Sequence, residues 1–354
     1  MCVRSRWFSD SVGGVAQAGG IMDHQSQQFE FERYCDLAAE RLGGEVVTFN
    51  DEFFAPAENL LKSGPPVFDP DRYTDRGKWM DGWETRRRRD PGHDWCVVRL
   101  GAPGEPRGVV IDTSHFRGNH PARASLEACV LETGALEDAE WMTLLSEVDL
   151  EPDTPNRFDL DATQRCTHVR LNIYPDGGVA RLRVHGLVQP DWAHVSGEID
   201  LLAAHHGGRV IDCSDAFFSQ PANLLLPGNS IGMFDGWETR RRRGSGHDWV
   251  VIRLGRRGVI STIQIDTHHF KGNYPVAYSV EALDVETDVD EFDVPAGEWA
   301  ELVPRTELQA DSEHRLELPT TAARVATHLR LNIYPDGGVA RFRAHGRLAE
   351  ADVS

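Results

Sequence analysis

The chain is one unit written twice, and this constrains its fold more than any other feature. Asp81-Gly-Trp-Glu-Thr-Arg-Arg-Arg-Arg89 returns unchanged as Asp235 to Arg243, 154 residues later. Gly92-His-Asp-Trp95 returns as Gly246 to Trp249 at the same spacing of 154. Ile111 to Pro121 returns as Ile265 to Pro275 with 8 of 11 positions identical. Arg170-Leu-Asn-Ile-Tyr-Pro-Asp-Gly-Gly-Val-Ala-Arg181 returns unchanged as Arg330 to Arg341, now 160 residues later. Upstream, Asp51 to Leu61 parallels Asp215 to Leu225 at a spacing of 164. The changes of spacing put ten extra residues in the first copy within Lys62 to Met80, and six in the second between Pro275 and Arg330. Both stretches are rich in Pro, Gly or charge, as surface loops are. A period near 160 is too long for a solenoid unit of about 20–50 residues, so each copy is a whole domain. The expected organisation is a disordered tail over 1–28, a first repeat over 29–188 and a second over 193–348, with the boundary near Gln189-Pro-Asp191.

Within a copy the pattern is mostly strand. A short helix is expected to open each half, over Glu30 to Leu42 and Val195 to His206, each stopped by a Gly-Gly pair. After it come short Val-, Ile- and Leu-rich runs: Cys96 to Leu100, Gly108 to Ile111, Leu126 to Leu131, His168 to Tyr174 and Val179 to His185. Turn residues separate them at intervals suited to a sandwich or barrel, and no alternating β–α–β pattern calls for a parallel sheet. Two-residue alternation puts Val169, Leu171 and Ile173 on one face and Arg170, Asn172 and Tyr174 on the other. Ala180, Leu182 and Val184 likewise oppose Arg181, Arg183 and His185.

Charge narrows the partners. There are 37 Lys+Arg against 56 Asp+Glu, a net charge of −19. Such a chain repels phosphate backbones and anionic membranes, so neither nucleic acid nor membrane is an expected partner. No apolar run reaches the roughly 18 residues of a membrane span. The first residues lack the apolar stretch of a secretory signal, and the six cysteines form no CxxC pair. The expectation is a cytoplasmic protein with scattered buried thiols, not a disulfide framework.

Four constellations carry chemistry, and each appears in both copies. The first is Glu84 with the run Arg86 to Arg89, and its twin Glu238 with Arg240 to Arg243. Alternating arginines can send about two side chains per copy into one site, and Arg grips a carboxylate with two N–H groups. Arg86, Arg88, Arg240 and Arg242 are the candidates; a solvated run paired with surface acids is the bland reading. The second is His93-Asp94 and His247-Asp248, where a side chain titrating near neutrality sits beside a carboxylate. A capped turn around a core Trp explains the same residues. The third is Asp112 with His115 and Asp266 with His269, at a strand end. Two ligands fall short of the usual minimum of three for a metal, so a divalent ion stays open and no cofactor is firmly expected. The fourth is the polar face of Arg170, Asn172, Arg181, Arg183 and His185, with Asn332 and Arg341 among its twins. It lines a pocket or is merely solvated. There is no GxSxG elbow, P-loop, GxGxxG, HExxH or Cys-rich zinc pattern.

Taken together, these motifs in duplicate resemble the allantoicase (allantoate amidinohydrolase) family, over roughly residues 36 to 348. The resemblance implies tandem jelly-roll β-sandwich domains of the galactose-binding-like type. It also implies hydrolysis of allantoate to (S)-ureidoglycolate and urea in purine degradation. Allantoate carries one carboxylate and two ureido groups on one carbon. A bidentate Arg suits the carboxylate, and the departing urea needs a general acid. Carboxylate binding then falls to Arg86 or Arg88 and Arg240 or Arg242. Acid–base work falls among Glu84, His93, Asp94, Asp112 and His115 and their twins Glu238, His247, Asp248, Asp266 and His269. Asn172, Arg181, Asn332 and Arg341 are further substrate-binding candidates. The alternative is a tandem carbohydrate- or ligand-binding module without catalysis, for which a secreted chain with exposed aromatic platforms is expected. A homo-oligomer stays open.

Overall fold

The structure is a computed structural model that describes residues 29–161, 164–285, 292–321 and 323–349. The expected tail over 1–28 lies outside the described residues. The first copy contains β1 (Glu45–Phe49), β2 (Asp94–Asp112), β3 (Arg123–Cys129), β4 (Met142–Asp149), β5 (Pro155–Asp159), β6 (Cys166–Tyr174) and β7 (Arg181–Val188). The second repeats them as β8 (Arg209–Cys213), β9 (Asp248–Asp266), β10 (Ala277–Leu283), β11 (Ala300–Glu307), β12 (Glu313–Glu317), β13 (Arg324–Tyr334) and β14 (Arg341–Leu348).

One 19-residue strand organises each copy. The first half of β2 pairs antiparallel with β1 and β6, and β6 continues to β3 and β4. The second half of β2 pairs with β5 and β7. Thus β2 belongs to both layers. Val98 from its first half, Ile111 from its second, Leu171 from β6 and Leu182 from β7 meet in one buried core. This is the expected all-β jelly-roll sandwich, in tandem.

The sequence suggested two strands where β2 is one, because Gly101-Ala-Pro-Gly-Glu-Pro106 reads as a turn. That segment is instead a bulge: His168 pairs with Arg99, while Cys166 already pairs with Gly104. A bulge frees backbone donors from the ladder, so it accepts proline, and it lets the strand bend from one layer to the other. The second copy slips at the matching place, between Arg253 and Gly258.

The opening helix is corrected as well. Glu30–Arg33 and Glu40–Leu42 are short 3-10 turns around a two-residue strand, Cys35–Asp36, that pairs with β7. Val195 to His206 likewise holds the two-residue strand Ile199–Asp200 and the 3-10 turn Ala204–His206. The apolar spacing comes from Leu37, whose N–H donates to Val184 O at 2.8 Å across the sheet edge. The Gly-Gly stops do end the segments, with Gly43 and Gly207 at φ 97° and 87°.

These opening segments also join the copies. Leu42 and Ala102 of the first copy belong to the second copy's core. Arg41 pairs with Asp235 at 2.8 Å, and Arg33 lies 3.9 Å over the Phe292 ring. Among the described residues no helix is long and apolar enough to cross a membrane.

Candidate functional site

The structure sends the sequence-marked residues to three different places. The first is scaffold. Trp83 is fully buried and donates from Nε1 to Asp51 O at 2.8 Å. Asp51 then accepts from Arg86 N (3.0 Å) and Arg86 Nε (2.6 Å). Asp215 holds Arg240 in the same way, at 2.8 Å for both bonds. Arg88 donates to Asp94 at 2.6 Å, and Asp94 also accepts from Asn50 at 2.9 Å. Arg242 pairs with Asp248, which Ser214 holds as well. Asp94 and Asp248 are each 1% exposed, so their carboxylates face protein groups and not an open pocket. The arginines expected to grip a substrate carboxylate are therefore already gripping Asp51, Asp94 and their twins.

Arg181 and Arg341 are also scaffold. Arg181 is buried and pairs with Asp81 at 2.6 Å, while donating to the carbonyls of Asn59 and Gly64. Arg341 pairs with Asp235 at 2.9 Å. Arg183 reaches the carbonyls of Leu60 and Lys62, and His185 Nδ1 meets Tyr34 O at 2.9 Å. Arg170 and Asn172 lie on the other layer. The single polar face expected from the alternation is thus divided between the two sheets.

The second place is a pocket at the loop end of the first copy, with a volume of about 410 Å³. Glu84, His115, Arg117 and Asn119 line it, with Phe54, Phe68, Lys78 and Met80. Burial pushes the Glu84 carboxyl above the ordinary glutamate value, partly offset by the N–H that Asn119 donates at 2.7 Å. His115 sits at φ 70°, a left-handed conformation costing about 1–2 kcal/mol for a non-glycine residue. Asp153 holds it there by accepting from His115 N at 2.7 Å, and Nε2 lies 3.2 Å from Pro66 O. The Phe68 ring stacks on the imidazole at 5.5 Å. Strained backbone of this kind is concentrated at functional sites.

The second copy keeps the frame of this pocket. Asn273 donates to Glu238 at 2.5 Å, and His269 sits at φ 73° with Nε2 2.9 Å from Ser230 O. It lacks the cover. Val67 and Ile231 make the same backbone bond, to Asp81 and Asp235, at 3.0 Å in each copy. The extra residues of the first copy therefore fall within Phe68 to Trp79, where Tyr73–Thr74 and Gly77–Lys78 form a small hairpin. Phe68 and Lys78 come from this insertion. Phe217, Phe218 and Phe234 around Glu238 are exposed.

Asp112 and His115 do not converge. Asp112 caps the next turn by accepting from Ser114 N at 2.8 Å. Asp266 does the same for His268, whose Nδ1 it also meets at 2.6 Å. Among the described residues no three His, Cys, Asp or Glu side chains gather as a metal would need.

The third place is a pocket on the outer face of β2, β6, β3 and β4, of about 530 Å³. His93 and Asn172 are here, with Ser125, Glu127, Arg170 and Tyr174. Its twin of about 420 Å³ holds His247, Ser279, Glu281, Arg330, Asn332 and Tyr334. Sequence reasoning missed Asn119, Lys78 and Glu127. Asn119 and Glu127 carried a usable signal: each recurs, as Asn273 and Glu281, at the spacing of 154. Lys78 carried none, since it lies in the unmatched insertion.

Known proteins match this architecture. A family model described as the allantoicase repeat matches twice, over residues 35–189 and 199–349. The chain is 48% identical over 321 residues to a probable allantoicase of Pseudomonas aeruginosa strain LESB58, covering 90% of this chain and 97% of that one. It is 47% identical over 332 residues to probable allantoicase 1 of Burkholderia mallei, covering 93% and 98%. The crystal structure of allantoicase from Saccharomyces cerevisiae superposes with a TM-score of 0.76 at 37% identity, covering 88% of this chain and 92% of that one. The duplicated sandwich and these matches lead to one conclusion: the chain belongs to the allantoicase family.

Proposed function

We propose that the chain hydrolyses allantoate at the loop-end pocket of its first copy, with Glu84 as the proton donor to departing urea. Allantoate hydrolysis itself follows from family membership. The observation that carries the placement is Glu84, a carboxyl that burial biases toward its protonated form in a cavity that also holds Lys78 and Arg117. Asp153 already holds Arg117 at 2.7 Å, so Lys78 is the cation left for the substrate carboxylate, and a raised carboxyl suits general acid catalysis. The proton passes from Glu84 to one ureido nitrogen. The bond from that nitrogen to the central carbon breaks, its electron pair leaves with urea, and the remaining ureido nitrogen, keeping its own proton, forms a protonated imine with the carbon. Water adds to the imine and returns its proton to Glu84, giving ureidoglycolate. Asn119 orients the carboxyl by its hydrogen bond.

The second copy has Glu238 and Asn273 but no counterpart of Lys78 or Phe68, so turnover is assigned to the first. Urea release from purified protein, with and without added Mn²⁺, tests this. Glu84→Gln is expected to lower kcat by about 10²–10⁴, and Glu238→Gln to stay near the parent rate. Equal losses in the two variants reject the assignment to one copy. No loss in Glu84→Gln rejects it as the acid.

A further inference from the structure

We propose that the paired sheet-face pockets bind a small neutral ligand carrying a ureido group. This does not rest on the role given to Glu84. The first argument is what each pocket leaves unused. Glu127 Oε2 accepts from Arg170 Nε and Asn172 Nδ2, both at 2.8 Å. Glu281 Oε2 accepts from Arg330 Nε at 2.6 Å and Asn332 Nδ2 at 2.9 Å. In both copies the other carboxylate oxygen, Oε1, and the guanidinium Nη1 make no hydrogen bond among the described residues. Each pocket thus presents a free acceptor and a free donor, the pair that a ureido N–H and carbonyl would use.

The second argument is charge. Glu127 and Glu147 are matched by Arg170 and Arg123 through direct ion pairs. In the second copy Glu281 pairs with Arg330, Glu301 lines the pocket and Arg305 lies 4.2 Å over the Tyr334 ring. The identities changed, since Thr143 and Glu301 occupy one register position beside Glu127 and Glu281. In each copy two acids and one arginine line the pocket, and a second arginine stands at its rim, Arg123 on Glu147 and Arg305 over Tyr334. A balanced pocket has no spare cation for a carboxylate, so it favours a neutral ligand over allantoate itself. The third argument is shape. His93 and Tyr174 meet at 4.7 Å and 41°, and His247 and Tyr334 at 4.7 Å and 40°. The same tilted ring pair stands in both copies, with the tyrosine at the end of a strand and the histidine just before one, and a planar group can lie against either ring.

The test is ligand-observed saturation-transfer NMR on the full chain with N-methylurea, using acetate, methylguanidinium and galactose as comparison ligands. Transfer to methylurea is expected in the parent and in Glu84→Gln. It should drop at least about tenfold in the Glu127→Gln/Glu281→Gln double variant. Thr143→Trp/Glu301→Trp, at exposed positions, fills both pockets while leaving the hydrogen bonds of Glu127 and Glu281 in place, and should abolish it too. Transfer that survives both double variants overturns the proposal. So does transfer lost only in Glu84→Gln, which would place the ligand in the loop-end pocket. Stronger transfer to galactose, acetate or methylguanidinium than to methylurea overturns the ligand class.

Discussion

Glu84 and Asp94 stand in one continuous motif, yet their surroundings treat them differently. Asp94 is enclosed by Arg88 and Asn50, and its charge is matched. Glu84 is partly buried with only a neutral amide as partner, so burial raises its carboxyl above the ordinary value. The consequence for stability has a definite sign. A raised native value means that the folded state holds the proton more tightly than the unfolded one. That contribution is complete below the ordinary glutamate value of about 4.3 and is lost as pH rises through the native value. Glu84→Gln keeps an acceptor for Asn119 and removes the ionisation. It should melt above the parent at pH 8, with the gap closing near pH 4. Thermal unfolding across that range checks it, and a variant melting below the parent at pH 8 contradicts the assigned cause.

Elements decide how the loop ends of the two copies differ. The frame, from Trp83 through Glu84 to the strained His115, is the same in both. The hairpin within Phe68 to Trp79 belongs to the first copy alone, and it adds Phe68 and Lys78. Hydrogen bonds to charged groups are worth about 1.5–3 kcal/mol. Replacing the hairpin with the second copy's shorter connection should therefore raise KM for allantoate by about tenfold or more. The melting temperature should change little, because the hairpin lies outside both main cores. Steady-state urea release beside a melting curve checks both halves, and an unchanged KM removes Lys78 from substrate recognition. The long strands teach a related lesson. Pro103 and Pro106 looked like a break between strands, and only the pairing of β2 with two layers turns them into a bulge.

At the scale of the whole molecule the two copies share structure that neither holds alone. Asp81 is held by Arg181 and by Lys62 of its own copy. Asp235 is held by Arg341 and by Arg41 of the other copy, with Leu226 where a matching lysine would stand. Arg41 is 18% exposed against 44% for Lys62. Arg41→Ala should therefore cost about 1–3 kcal/mol, and Lys62→Ala less than about 1 kcal/mol after solvent screening. Guanidinium unfolding of both variants decides, and equal losses would mean that Arg41 is no tie between the copies. The sequence by itself determined the duplication, the all-β class, the apolar faces of β6 and β7 and the family. Those are periodicities and identities, which a linear text records directly. Only the tertiary structure decided which polar residues are scaffold and which face a cavity. Arg86, Arg88 and Arg181 read as substrate ligands because a guanidinium looks the same whether its carboxylate belongs to a substrate or to Asp51, Asp94 or Asp81. For Arg86 and Arg181 the fold brings that partner from 35 and 100 residues away, and for Arg88 it turns the chain back on a neighbour six residues on.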